Sequence, residues 1–432
     1  MGNMKKSRYD QHFRMSIKDA MDYTKEVLEF FAKDAKLKGE EIGDGNINYI
    51  FRVWEEGKEA KGGIKSIILK QGDSLLRSSG RPLDIRRTEI EAKALMGYDK
   101  RSIGLSPKVY QFDPVMSVIA MEDLYHHENL RKALLQAKVF PQLSEDISTF
   151  IVRNTLLTSD LGMDPKEKKK SQKEFVNPDM CDISEDLVFT EPFTDYKGRN
   201  VVLPENMEFV EKELYNDREL HLEAGKLKEI FMNRGEALIH GDLHTGSIFV
   251  TADSTRIFDA EFAYYGPIAY DLGNFLGNLF FPMAYHRLVN IDEEQNLTRE
   301  MDFLVWLEQA IVSVIDRFKH KWKRLYENRV TDPLYVKKEY RDWHLDRILQ
   351  ESISMAGLEI IRRIVGDAKV EDIENIGDRD KRIKVERVLI LMAKDFIKDG
   401  KGYKDGRDMM ECFEKAIYDV EKMEGKQNDG NE

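Results

Sequence analysis

The sequence predicts an α+β protein with a small β-rich N-terminal lobe and a larger, mainly helical C-terminal lobe. Three observations lead there. Between Glu40 and Leu124, short β-branched and aromatic runs are broken by Gly or Asp-Pro turns. From Tyr125 onward, helical patterns dominate. One β-rich island, Ser247 to Phe262, interrupts that helical half. The boundary is drawn after Leu124, giving lobes of residues 1–124 and 125–432.

In order along the chain, residues 16–37 read as an amphipathic helix. "EEIGDGNINYIFRVWEEG" (40–57) reads as a Gly-containing turn and a hairpin edge, and "GGIKSIILKQG" (62–72) as a further strand ending in Lys70. Residues 84–98 have helical spacing, and 106–124 give two short strands around Asp113-Pro114. "PKEKKKSQKEF" (165–175) reads as a solvated basic helix or loop. "SIFV", "TADSTR" and "IFDAEF" form a hairpin. Helices follow to about Tyr418, and the polar tail "EGKQNDGNE" is expected to be disordered.

With 432 residues, 41% of them hydrophobic and 34% charged, the chain can bury a large core under a solvated surface. A net charge of -12 argues against binding duplex nucleic acid, which rewards a basic face. Cys181 and Cys412 suit reduced thiols rather than a disulfide framework. No apolar run reaches membrane-spanning length, no internal repeat is present, and the start "MGNMKKS" has no apolar leader pattern. Lys6 stands where a myristoylation signal needs Ser or Thr. The expected location is cytoplasmic, with no membrane partner.

The segment "LIHGDLHTGSIFV" (238–250) sets His240, Asp242 and His244 between apolar flanks. With Asp259 and Glu261 it makes an acid set able to orient a hydroxyl and hold magnesium with phosphate oxygens. The hairpin would bring Asp242 and Asp259 to its open end. Capping aspartates in a turn are the plainer reading. Zinc on His240 and His244 is disfavoured, because Gly241 and the β flanks argue against the helix that H-x-x-x-H ligation uses.

Gly43 and Gly45 would let backbone N–H groups approach phosphates, although Gly-Asp-Gly also serves a simple turn. Lys70 could pair with Glu91, on one helix face with Arg87, as a lysine that steadies nucleotide phosphates; otherwise it is a strand-end lysine that snorkels. Glu122, Asp123 and Leu124 follow an apolar strand where the lobes would join. Their backbone could bind an adenine edge, with Leu124 packed on its face. Arg362 and Arg363 stand in an apolar helix, where guanidiniums are costly unless they meet anions. Glu359 is one available partner, and a solvent-facing side the plainer alternative.

The order of Gly-rich hairpin, strand Lys, helix Glu, hinge, loop Asp and metal Asp resembles the protein-kinase-like fold, in its aminoglycoside-phosphotransferase branch. "IHGDLHTGSIF", "DAEFAYYGPIAYDLGNF", "EIGDGNINYIF", "NPDMCDISEDLVFTEPF" and "GLEIIRRIVG" narrow the resemblance to the methylthioribose kinase family over nearly the whole chain.

That resemblance implies ATP-dependent phosphorylation of the 1-hydroxyl of 5-methylthioribose in methionine salvage, with Mg2+, by a homodimer. It implies Asp242 as the catalytic aspartate at the sugar hydroxyl. Asn48, Lys70, Glu122 to Leu124, Asp259, Ala260 and Glu261 would bind ATP. Asp259 and Glu261 would serve the metal, and Arg362 or Arg363 the substrate. His240 and His244 would shape the loop. Asp271 would hold the loop backbone, with a plain N-cap as its alternative. Ser247 stands where a protein kinase carries a metal-binding Asn, Asp259-Ala260-Glu261 replaces Asp-Phe-Gly, and Asn48 replaces the third phosphate-loop glycine. Other acceptors (aminoglycoside, choline or homoserine) and a nucleotide-binding pseudokinase are the competing readings.

Overall fold

The computed structural model describes residues 7–43, 48–57, 65–75, 80, 82–290 and 297–429. It separates into two compact units. The smaller comprises Met1–His127 and Arg256–Ala263, the larger Glu128–Thr255 and Tyr264–Glu432.

The smaller unit is built on a five-stranded antiparallel sheet of β1 (Leu37–Glu41), β2 (Tyr49–Glu55), β3 (Ser66–Gln71), β4 (Val109–Asp113) and β5 (Val118–Met121). Their spatial order is β1-β2-β3-β5-β4. Tyr49, Phe51 and Val53 are buried while the residues between them are half-buried, the two-residue period of a strand with one covered face. Ile67 and Leu69 join the same core, which also takes Ala20 and Tyr23 of helix α1 (Ile17–Glu26). Ile68 and Lys70 therefore point to the opposite face, toward α2 (Arg87–Arg101). Lys70 lies opposite Ile50 on one neighbour and Ile119 on the other. At 4% exposure it is no snorkelling lysine.

One expectation fails here. The helix foreseen over 16–37 stops at Glu26. Ser16 opens it with a capping box onto Asp19, but Glu29 turns left-handed (φ 48°) and Phe31 enters the sheet core. Gly45 lies outside the described residues. Gly43 is described, and its φ of 92° is one that glycine adopts freely.

The larger unit begins with β6 (Glu128–Asn129) and the helices α3 (Leu130–Leu135), α4 (Leu143–Leu156), α5 (Pro165–Glu174), α6 (Pro178–Leu187), α7 (Glu191–Thr194), α8 (Met207–Val210) and α9 (Arg218–Asn233). Short strands β7 (Ala237–Ile239) and β8 (Ile248–Val250) flank the "HGDLHTGS" segment. A turn closed by the Thr251 N–H on the Ser254 carbonyl leads into β9 (Thr255–Ile257), where the chain passes to the smaller unit. On its return, β10 (Tyr264–Gly266) pairs antiparallel with β7. That ladder is too short to leave a periodic signal in sequence.

The core of this unit is α10 (Ile268–Tyr285), buried from Ile268 through Ala284. A helix apolar all round must be covered all round. Next come α11 (Leu297–Arg329), α12 (Lys338–Val365), α13 (Glu371–Glu374), α14 (Arg379–Asp399) and α15 (Gly406–Asp429). Close packing of α10 on α12 depends on glycine: a Cβ on Gly273 would meet the Ser352 carbonyl oxygen at 2.5 Å. That approach brings the polar end of α12 to the loop after β7. The solvated helix expected over residues 165–175 is present as the largely exposed α5, which buries Lys168; one further expectation is corrected. The tail is helical to Asp429, in α15, which buries Met409, Phe413 and Val420. In the basic run, Lys168 is buried against Asp160 and the Gly235 carbonyl.

Candidate active site

Each unit carries a polar cluster built from the expected site residues. In the smaller, the Lys70 ammonium lies 2.8 Å from Glu91 and 2.5 Å from Asp259 Oδ1. Asp259 has a φ of 65°, a left-handed conformation that non-glycine residues adopt at a cost. Its side chain keeps 38% exposure, whereas Ala260 is wholly buried and Glu261 4% exposed. Glu261 accepts from Asn48 Nδ2 at 3.0 Å and pairs with Arg87 Nε at 3.3 Å. Arg87 also donates to Asn48 Oδ1 and to the carbonyls of Asp73 and Asp84. The Asn48 amide is thereby fixed between a cation and an anion.

This cluster holds two cations, Lys70 and Arg87, against three carboxylates, Glu91, Asp259 and Glu261. Burial pushes the Glu91 carboxyl up; Lys70 opposes the rise while Asp259 and Glu261 reinforce it. Glu261 is raised for the same first reason. Burial alone would lower Lys70, but its acidic neighbours, Asp259 first, outweigh that and raise it. Lys70 stays charged.

The segment after β5 carries less than expected in its side chains. The Glu122 N–H donates to the Lys108 carbonyl, and its carboxylate accepts from the Lys108 N–H. Asp123 is held by Arg52 Nε at 2.7 Å, with the guanidinium over the rings of Trp54 and Tyr125. Leu124 accepts from the His127 N–H.

In the larger unit, Gly241 (φ 81°) bends the chain between His240 and Asp242. The N–H groups of His240 and Gly241 donate to the two oxygens of Asp271, at 2.7 and 2.9 Å. Asp271 lies in the first turn of α10, whose N-cap is Pro267, so the plain N-cap alternative is corrected. The Asp242 N–H donates to His240 Nδ1. His244 reaches Asp242 Oδ2 through Nε2 and the Ser247 hydroxyl through Nδ1, both at 3.3 Å. Burial holds the His244 pKa below its ordinary value despite Asp242.

Arg362 donates to Asp242 Oδ1 at 3.1 Å and also binds Glu359. Arg363 donates to Glu359 at 3.0 Å and to the Ala368 carbonyl. Glu359 is fully buried, yet the two guanidiniums outweigh burial and hold its carboxyl at about 2. Burial would likewise raise Asp242, but His244, Arg362 and Arg363 hold it well below the usual carboxylate range. The network continues from Glu359 to Asn278 Nδ2 at 2.9 Å, and from Asn278 Oδ1 to Arg131 at 2.8 Å. Arg131 also donates to Thr245.

The expected residues thus fall into two sets: Asn48, Lys70, Glu91, Asp259 and Glu261 in one unit, and His240, Asp242, His244, Ser247, Asp271, Arg362 and Arg363 in the other. The paired arginines do not form the solvent-facing side weighed as the plainer alternative: both are largely buried, they share Glu359, and Arg362 reaches Asp242. Sequence reading missed Arg131 and Asn278. Each sits in a segment that reads as plain helix, and only the fold brings them together. Among the described residues, no three His, Cys, Asp or Glu side chains converge as a metal site.

A model of a phosphotransferase enzyme family matches residues 197–314, which include both "HGDLH" and Asp259. Over 392 residues the chain is 34% identical to a methylthioribose kinase of Bacillus pumilus (strain SAFR-032), covering 90% of this chain and 94% of that one. A methylthioribose kinase of Geobacillus sp. (strain WCH70) is 35% identical over 392 residues, 90% of this chain and 93% of the relative. One of Escherichia coli O45:K1 is 36% identical, covering 85% and 88% of the two chains. The chain belongs to the methylthioribose kinase family.

Proposed function

We propose that this protein transfers the γ-phosphoryl group of ATP to the 1-hydroxyl of 5-methylthioribose, with Asp242 as the catalytic aspartate. The carrying observation is the state of Asp242. It is ionised, fixed by Arg362 and His244, and mounted on a loop whose backbone Asp271 holds. Phosphoryl transfer asks for positioning and charge neutralisation more than covalent help. A carboxylate of such low basicity orients the acceptor hydroxyl first and takes its proton late. The Arg362 guanidinium on the same carboxylate is then the hydroxyl's neighbour and offsets negative charge arriving there.

Lys70, steadied by Glu91, suits the nucleotide phosphates, and Asn48 sits among the same groups. The adenine contact falls to the backbone of Glu122 to Leu124 and to the Leu124 side chain. The excess of carboxylates around Lys70 fits a divalent cation, and Asp259, with its exposed carboxylate, is the residue to hold Mg2+. Glu261, buried between Asn48 and Arg87, suits contact through water. Bound there, Mg2+ would supply charge to screen the phosphate oxygens.

Choline or aminoglycoside acceptors fit poorly, because the groups around Asp242 are guanidiniums. A pseudokinase role is disfavoured by an engaged Lys70 and an ionised Asp242. The homodimer rests on the family resemblance, and the cytoplasmic location on the sequence pattern. Among the described residues, no helix is long and apolar enough to cross a membrane. The test is ADP release measured with 5-methylthioribose, ribose and an aminoglycoside. Release driven by 5-methylthioribose supports the proposal, and release driven only by another acceptor refutes it.

A further inference from the structure

The larger unit holds a buried acid that the mechanism above leaves unused. Asp372, on α13, is 1% exposed, and neither of its carboxylate oxygens has a hydrogen-bond partner on another described residue. Burial raises its carboxyl to about 6, against the pull of Arg131 and of its own main-chain N–H. A buried, unpaired carboxylate costs folding energy and returns none.

Its surroundings indicate what it awaits. α13 packs on α10, the helix that carries Asn278. Arg131 donates to Asn278 and Thr245, and its charge is felt by Asp372, Glu359 and Asp242 alike. Arg363, one turn from the end of α12, ties down the Ala368 carbonyl, four residues before Asp372. Asp372 and Asp242 thus both lie within electrostatic reach of Arg131. An ionised carboxylate only accepts hydrogen bonds, so its partner must bring donors. The arginines nearby disfavour a metal cation, and a phosphate oxygen has no donor to offer. Neutral hydroxyl groups remain.

We propose that Asp372 is a sugar-binding residue of the acceptor site, its two carboxylate oxygens receiving the vicinal 2- and 3-hydroxyls next to the reacting 1-hydroxyl. The chemistry is that by which acidic residues bind ribose hydroxyls in dinucleotide sites. The inference rests on 5-methylthioribose, or a close pentose, being the acceptor.

The test compares wild type, Asp372→Ala and Asp372→Asn on 5-methylthioribose and on its 2-deoxy and 3-deoxy analogues. For wild type, kcat/KM should fall at least ~10-fold on losing either hydroxyl, since a site built for a hydroxyl rejects its absence. In Asp372→Ala that preference should collapse toward unity, with KM for ATP within about twofold of wild type, because binding to the remote group is untouched. Free Asp372→Asn should melt no lower than wild type, because it removes an orphaned charge. A merely structural acid predicts the reverse, with a lower melting temperature and an unchanged preference; either result overturns the inference. A wild type inactive on 5-methylthioribose overturns the substrate assignment and this inference together. An active wild type with an unchanged preference in the variants overturns this inference alone.

Discussion

The polar clusters of the two units have opposite charge logic. Around Lys70, carboxylates outnumber cations, and Glu91 and Glu261 are pushed toward holding a proton. Around Glu359 and Asp242, the guanidiniums of Arg362 and Arg363 dominate, and both carboxyls are pushed far the other way. Glu91 and Glu359, both almost wholly buried, are tuned in opposite directions by their neighbours. The first arrangement is short of positive charge, which the proposed divalent cation would supply. The second keeps an acid ionised and held, as the role proposed for Asp242 requires.

The contrast breaks most visibly at Asp242. Asp242→Asn should lower kcat by at least ~100-fold, the lower range for a group that handles the proton, while nucleotide affinity measured by calorimetry stays close to wild type. Near-normal turnover would remove Asp242 from the chemistry. Lys70→Met should come next. It leaves three carboxylates facing one another around Arg87, and removing one partner of a buried pair costs about 3–5 kcal/mol. A lower melting temperature and a raised KM for ATP should appear together, and Lys70→Met with Glu91→Gln should recover part of the stability. A single variant as stable as wild type would contradict the ion-pair assignment.

Glu359→Gln sharpens the other side. Without its charge Arg362 is less firmly held, and KM for the acceptor should rise about tenfold, a coupling of the size seen between neighbours in one network. KM for ATP should not move. The same variant tests the pH dependence. The Glu359 carboxyl is depressed from 4.5 to about 2, so its stabilising contribution is complete above pH 4.5 and disappears as pH falls toward 2. Acid unfolding followed by circular dichroism should show a shallower loss over that interval in Glu359→Gln. An identical acid limb would mean that Glu359 is not depressed in the folded protein.

Much of this was legible in the sequence where chemistry follows local order. "HGDLH" carries its aspartate on a loop because Gly241 takes a φ few other residues would, and Lys70 betrays itself as a lysine ending an apolar strand. Sequence fails where proximity is long-range. Nothing in "NLRKALL" sets Arg131 apart from a surface arginine until α10 and α12 bring Asn278 and Glu359 to it. Asp372 likewise reads as one more acid in "VEDIEN". The helix expected over 16–37 failed for a third reason: Val27, Leu28, Phe30 and Phe31 have helical spacing, but they are spent on the sheet core.

The most direct test of this division of labour is a pair of variants, Asp259→Asn and Arg362→Gln, each with steady-state constants for Mg2+, ATP and 5-methylthioribose. Asp259→Asn should raise the Mg2+ and ATP requirement and leave the acceptor KM alone, while Arg362→Gln should raise the acceptor KM and leave the ATP and Mg2+ requirements alone. Two variants that shift the same constants by similar factors would contradict the claim that the two clusters serve different substrates.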